Sequence, residues 1–193
     1  MKTIVLATSN KHKLKEYKKI LTNYNIITLD DINYFEDIEE TGKTFEENAL
    51  IKAETIHKFL KQKGMDYIVV AEDSGLCVDS LKGAPGIFSA RYSGVHGDNK
   101  ANRDKLQKEL KNKDRRAYFI CTIVVYYIDE TYKTFVGKTY GKISTEELGS
   151  KDFGYDCIFY SDELNKTFGE ATEEEKNSVS HRGKAIKEMV QEL

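Results

Sequence analysis

An open α/β fold is predicted by three observations. Apolar strand-like runs alternate with amphipathic helical stretches from Thr3 to Val70. The run Tyr67-Ile68-Val69-Val70 is apolar throughout, and it breaks abruptly into Ala71-Glu72-Asp73-Ser74-Gly75. Four apolar residues followed by a polar break read as a buried strand emptying into a turn. Open α/β sheets carry their chemistry at the carboxyl ends of strands, so two adjacent carboxylates there mark a candidate site. Asp, Ser and Gly are equally ordinary turn formers, and the rest of the chain must decide between the two.

The elements follow in order. Thr3-Ile4-Val5-Leu6-Ala7 is a short buried strand, and the polar loop Thr8-Ser9-Asn10-Lys11-His12-Lys13 leads into a helix with Leu14, Tyr17 and Leu21 on one face. A strand, a polar loop and a helix start form a ready anion site, because free backbone N–H groups and the helix dipole point at the loop. The Walker pattern is absent. Lys13 stands against the dipole preference for acids in a first turn, which suggests an anion nearby. Asn25 to Leu29 reads as a second strand, followed by an acidic loop from Asp30 to Glu40. Thr44-Phe45-Glu46-Glu47 has capping-box spacing and starts a helix with Phe45, Ala49, Ala53, Ile56 and Leu60 on its buried face. Lys52 borders that face, where a lysine ordinarily lays its stem on the core and snorkels outward. Glu40 reads in the first instance as a solvated loop acid.

Beyond the central run, Leu76-Cys77-Val78-Asp79 looks like a returning strand. The loop from Lys82 to Gly94 holds the single proline together with Arg91, and a loop of that length is costly to order and often functional. Asn99 to Leu110 is a charged helix. Arg116 to Ile128 is a long β-rich run, Asp129 to Tyr132 turns the chain, and Lys133 to Thr139 pairs back as a hairpin. Tyrosines on both strands fit cross-strand packing or a dimer surface. Phe153-Gly154-Tyr155-Asp156 precedes the strand Cys157-Ile158-Phe159-Tyr160; an aromatic beside an acid can stack on a base and accept from its ring N–H, or can simply be a turn with core aromatics. Thr172 to Glu175 repeats the capping-box spacing and puts Lys176 on a short helix. Ser178-Val179-Ser180-His181-Arg182-Gly183 opens a final helix whose inner face is Ala185, Ile186, Met189, Val190 and Leu193.

Composition narrows the function classes. A chain of 193 residues is one domain or two closely packed lobes. Its 39% hydrophobic and 32% charged residues are a soluble globular balance. A formal charge of −2 argues against a general nucleic-acid binder, which needs a basic surface for counterion release. No apolar run approaches a membrane span, and Met1-Lys2 leads into a strand without a signal-peptide pattern. Cys77, Cys121 and Cys157 are scattered and odd in number, which suits reduced thiols in a cytoplasmic protein and excludes a CxxC metal site.

Seven blocks then carry a resemblance: Thr8-Ser9-Asn10 with Lys13; Glu40-Thr41-Gly42; Thr44-Phe45-Glu46-Glu47-Asn48-Ala49 with Lys52; Glu72-Asp73-Ser74-Gly75-Leu76; Gly83-Ala84-Pro85-Gly86 with Ser89 to Gly94; Phe153-Gly154-Tyr155-Asp156; and Glu174-Glu175-Lys176 with Ser180-His181-Arg182-Gly183. In this order, over nearly the whole chain, they resemble the non-canonical purine nucleoside triphosphate pyrophosphatases, the inosine triphosphatase family. Cys157, where the family often has proline, and Glu72, where many relatives have a second Asp, depart from the pattern. The resemblance implies a single domain over residues 1–193 with two α/β lobes around a long mixed sheet, a central nucleotide cleft, and commonly a homodimer. It implies Mg²⁺-dependent hydrolysis of ITP, dITP or XTP to the monophosphate and pyrophosphate.

On that basis Glu40 and Glu72 are expected to help hold the metal, and Asp73 either to bind it or to orient and deprotonate the attacking water. Lys13, Lys52 and Lys176 are expected to neutralise phosphate charge, beside a substrate-binding loop of Thr8, Ser9, Asn10, Lys11 and His12 and with Ser74 also on the substrate. Phe153, Gly154, Tyr155 and Asp156, with His181 and Arg182, are expected to read the base edge. A 6-keto purine offers O6 as acceptor and N1–H as donor, and adenine offers the reverse. The competing readings are a pyrophosphatase for modified pyrimidine nucleotides and a nucleotide-sensing module that never hydrolyses; an RNA-binding module is disfavoured by the charge balance.

Overall fold

The protein is described here, over residues 2–193, as a computed structural model. Its strands are β1 (Lys2–Leu6), β2 (Tyr24–Ile27), β3 (Ile68–Val78), β4 (Arg116–Tyr126), β5 (Tyr132–Ile143), β6 (Phe159–Ser161) and β7 (Lys166–Thr167). Its helices are α1 (Lys11–Ile20), α2 (Phe45–Gln62), α3 (Asn99–Glu109), α4 (Glu173–Val179) and α5 (His181–Glu192). The strands form one mixed sheet in the order β2-β1-β3-β4-β5-β6-β7. β1 runs parallel to β2 and to β3, pairing Ile4 with Ile68 and Leu6 with Val70, while β5, β6 and β7 pair antiparallel. Parallel neighbours require crossover connections, and α1 and α2 lie in them.

The central stretch corrects the sequence reading. Ala71 to Gly75 is not a turn and Leu76 to Val78 does not return; both belong to the single eleven-residue strand β3, buried along most of its length. Asp, Ser and Gly signal turns because they ordinarily satisfy their own backbone locally. Here tertiary partners satisfy the side chains instead, so the strand continues through them. The parallel ladder with β1 reaches only to Val70, so the carboxylates begin where the neighbouring strand stops.

Other elements differ in extent. β5 continues to Ile143, past the expected end at Thr139, because Gly141 pairs with Ser161 rather than breaking the strand. Cys157 and Ile158 lie in a turn ahead of β6, and the two-residue β7 has no signal of its own. Val190 is exposed and leaves the inner face of α5 to Ala185, Ile186 and Met189. Thr44 caps α2 by accepting from the Glu47 N–H, but the Glu47 carboxylate takes the N–H of Lys43 rather than that of Thr44. The box at Thr172 and Glu175 closes in both directions.

The chain divides into two compact units. The first comprises Met1–Asp73, Thr122–Val136 and Ala185–Leu193; the second comprises Ser74–Cys121 and Gly137–Lys184. In the first, Ala49, Ala53, Ile56 and Leu60 of α2 pack with Val5, Val69, Ala71 and Val124, the face the spacing predicts except for Phe45, which is half-buried and stands outside this cluster. In the second, Leu106 and Leu110 pack with Leu76, Val78, Phe119, Phe159 and Phe168. Cys77, Cys121 and Cys157 are buried and form no disulfide. Among the described residues, no helix is long and apolar enough to cross a membrane.

Candidate active site

In the first unit, three acids and two lysines come from four separate pieces of chain. Lys13 on α1 pairs with Glu72 on β3 at 2.9 Å, with the Glu72 side chain wholly removed from solvent. Glu72 is therefore the anion that the first-turn lysine suggests. Lys52 on α2 pairs with Glu40 at 2.7 Å and its side chain is only 11% exposed. It does not snorkel: an acid from the preceding loop reaches it at the edge of the core, and that same contact takes Glu40 out of the class of solvated loop acids.

Asp73 sits beside this pair of ion pairs and accepts a hydrogen bond from the Asn48 amide at 3.0 Å. Burial pushes its carboxyl above the usual carboxylate range; Lys52 and Lys13 pull it back, and the neighbouring Glu40 pushes it further up. A carboxyl raised in this way holds a proton more readily than a free one. Asn48, quoted in a motif block but given no role in the sequence reading, joins the candidate site. It is fully buried, and while its amide N–H₂ faces Asp73 its carbonyl accepts the N–H of Gly42 at 2.8 Å. It thereby ties the turn after Glu40 to Asp73. A Cβ at Gly42 would lie 2.6 Å from the Asn48 Oδ1, so the turn can close on the amide only without a side chain. The available signal was a polar residue one turn before Lys52, on a helix face otherwise apolar.

The loop before α1 is more closed than its sequence suggests. Asn10 caps the helix by accepting from the His12 and Lys13 N–H groups, and the Thr8 hydroxyl accepts from the Asn10 N–H. Those first-turn amides are thus already bonded rather than free. Ser9, Lys11 and His12 are exposed. Among the described residues, no group of three or more Asp, Glu, His or Cys side chains stands close enough together to hold a metal by itself.

In the second unit the chemistry is of another kind. Lys176 on α4 donates to Asp156 at 2.7 Å, and its ammonium lies 5.0 Å from the centre of the Phe153 ring. Arg182, 1% exposed, donates to the Ser74 hydroxyl at 3.1 Å. His181 stacks on Phe119 with ring centres 4.7 Å apart and the planes 12° from parallel. Tyr155 donates its hydroxyl to the Ser89 carbonyl at 2.8 Å, which fixes it as a buried strut and not an open contact. The Lys82–Gly94 loop holds one 3-10 turn, Gly86–Arg91, and a second, Asp79–Leu81, lies just ahead of it.

The sequence-expected residues thus fall into two groups. Lys13, Glu40, Lys52, Glu72 and Asp73 gather in the first unit. Phe153, Asp156 and Lys176 form one contact set in the second, where Arg182 is joined to Ser74.

A family model described as the Ham1 family matches residues 4–192. The dITP/XTP pyrophosphatase of Clostridium perfringens is 48% identical over 199 residues, spanning 100% of this chain and 98% of that protein. The dITP/XTP pyrophosphatase of Bacillus subtilis is 43% identical, over 98% and 96% of the two chains. The solved structure of the Staphylococcus aureus Ham1 protein superposes with a TM-score of 0.86 at 42% identity, covering 97% of this chain and 96% of that one. A family model over residues 4–192, relatives 43–48% identical over nearly the whole length and a solved structure of the same fold leave one conclusion: the chain belongs to the Ham1 family.

Proposed function

We propose that this protein hydrolyses non-canonical purine nucleoside triphosphates (ITP, dITP and XTP) to the monophosphate and pyrophosphate, removing deaminated purines from the nucleotide pool. The observation that carries the reading is the first unit's alternation of acids and lysines around the buried Asp73. Such a set is near charge balance by itself. A polyphosphate arriving with a divalent cation can exchange partners with it, the lysines turning to phosphate oxygens and the acids to the cation, without leaving a buried charge bare. The relatives named dITP/XTP pyrophosphatase support the same substrate class.

The donor set fits Mg²⁺ in a particular way. Mg²⁺ is a hard cation that takes one or two protein carboxylates together with phosphate oxygens and waters. Acids that do not form a closed cage suit that role: Glu40 and Glu72 are the residues that would hold it, with Asp73 kept for the water. Bound there, it would withdraw charge from the phosphate oxygens. Asp73 orients a water and accepts its proton as the water oxygen attacks the α-phosphorus. The bond from that phosphorus to the bridging oxygen breaks, and pyrophosphate leaves. Lys13 and Lys52 stabilise charge moving onto the leaving group.

The second unit supplies base recognition. Phe153 offers a stacking face, Asp156 accepts N1–H, and Arg182 or His181 donates to O6. Lys176 pairs with Asp156 at 2.7 Å, which moves it from the phosphate role suggested by the sequence to the base side. Adenine would leave these groups unpaired, and hydrogen-bonded sites reject such analogues by up to about 10⁴. In the same reading the protein works in the cytoplasm as a homodimer, supported by the family resemblance; sedimentation at twice the chain mass is the expected result.

The test is pyrophosphate release from ITP, dITP, XTP, GTP and ATP, with Mg²⁺ and with chelator. Release from the first three that stops on chelation is expected. Equal turnover of ATP and ITP would overturn the base assignment, and tight ITP binding without pyrophosphate release would make the protein a sensor.

A further inference from the structure

Arg103 is 3% exposed on α3, three residues before Leu106 and seven before Leu110, in a stripe that is otherwise core. An apolar side chain at such a position would ordinarily serve stability as well or better, since buried ion pairs replaced by well-packed hydrophobic residues often leave a protein no less stable. What a guanidinium offers instead is direction: a planar fork with donors fixed relative to one another. Both arms are used. Nε donates to Glu147 at 2.8 Å and Nη1 to the backbone carbonyl of Gly154 at 2.9 Å.

Gly154 is the hinge of the turn between Phe153 and Asp156. Its φ is +50°, in the left-handed region that favours glycine, and the turn closes through the Asp156 N–H on the Phe153 carbonyl at 3.1 Å. A glycine in that position has little intrinsic preference, so its carbonyl must be held from outside if the ring and the carboxylate on either side are to keep one orientation. Glu147 is held in turn by Lys151 at 2.9 Å. These contacts keep its carboxyl at about 2, the Lys151 hydrogen bond contributing most and Arg103 next. The neighbouring Leu148 N–H donates to the Cys157 carbonyl at 2.8 Å. One segment, Glu147-Leu148, therefore grips the turn at both ends, through Arg103 at Gly154 and through its own backbone at Cys157.

We infer that Arg103 is a positioning residue for base selection: bridging Glu147 to the Gly154 carbonyl, it fixes the turn that presents Phe153 and Asp156 to the purine. This rests on the pyrophosphatase reading above and adds a residue that touches no substrate.

The test measures kcat and KM for ITP and ATP on the full chain and on Arg103→Leu, Arg103→Lys and Glu147→Gln. In Arg103→Leu the ratio of kcat/KM for ITP over ATP falls at least about tenfold, and the loss on ITP falls on KM more than on kcat. Arg103→Lys keeps the charge but cannot span both partners, and gives an intermediate ratio. A merely structural residue would lower the unfolding midpoint and leave the ratio alone; a folded Arg103→Leu with the wild-type ratio overturns the inference. Should Arg103→Leu fail to fold, Arg103→Lys and Glu147→Gln decide: a lowered ratio in either supports it, and an unchanged ratio in both overturns it. A wild-type protein without selective ITP turnover would instead overturn the pyrophosphatase reading itself, so the two failures are distinguishable.

Discussion

The two candidate clusters differ in what holds them. In the first unit each lysine is already matched to a carboxylate, Lys13 to Glu72 and Lys52 to Glu40, and the acid between them is kept partly in check by an amide. In the second, one ion pair, Lys176 with Asp156, stands among directed donors and rings: Arg182 on Ser74, Arg103 on Gly154, His181 on Phe119. Paired charges can trade partners when a polyanion arrives. A buried guanidinium whose donors are engaged holds a shape. The first arrangement suits charge that shifts during a reaction, and the second suits recognition of a fixed pattern.

Removing the shared acid would break this comparison most severely. Asp73→Asn keeps the Asn48 neighbourhood in shape while abolishing the base, so kcat on ITP should fall by about 10³ with the far-ultraviolet dichroism unchanged; near-normal turnover would transfer the base role elsewhere. Next in size is Lys13→Ala, expected to lose about 10² in kcat/KM. It also strands the wholly buried Glu72 side chain, so its unfolding midpoint drops. Adding Glu72→Gln should restore the midpoint without restoring turnover, separating the lysine's structural service from its chemical one.

In the second unit, Asp156→Asn should lower the ITP-over-ATP ratio by about 10- to 100-fold with a smaller effect on kcat. If kcat falls as steeply as in Asp73→Asn, the division of labour between the clusters is wrong. The smallest effect concerns stability against acid. The folded-state carboxyl of Glu147 is depressed from 4.5 to about 2, chiefly by Lys151 and then Arg103. Its contribution is therefore complete above the unfolded value and is lost as pH falls towards the folded one. Urea unfolding between pH 5 and pH 2 should show Glu147→Gln with a flatter acid limb than wild type, and parallel limbs would remove Glu147 from the network.

The strands and helices that carry a clean period were legible. Ala49, Ala53, Ile56 and Leu60 face the first core as their spacing requires, and Thr172 with Glu175 forms the capping box that the pattern announces. Elements whose local chemistry conflicts with their place in the fold were not. Glu72, Asp73, Ser74 and Gly75 look like a turn because Asp, Ser and Gly ordinarily satisfy the backbone locally; here Lys13 takes Glu72, Asn48 takes Asp73 and Arg182 takes Ser74. The candidate residues were named from motif blocks; Asn48 stood inside one of them without a role, Arg103 and Glu147 lay outside all seven, and none of the three carries chemistry that composition distinguishes from a helix amide or a surface charge.

Sequence alone determined the alternation of strand and helix, the family, and the inventory of acids, lysines and aromatics. Apolar periodicity and cap chemistry are local properties, written within a few residues of one another. Only the tertiary structure decided which charge faces which: that Lys13 takes Glu72, that Lys52 turns inward to Glu40, that Lys176 joins Asp156, and that β3 runs straight through its acids. Those outcomes depend on groups far apart in the chain being desolvated together, and burial makes a partner obligatory for each charge without specifying, in the sequence, which partner it will be.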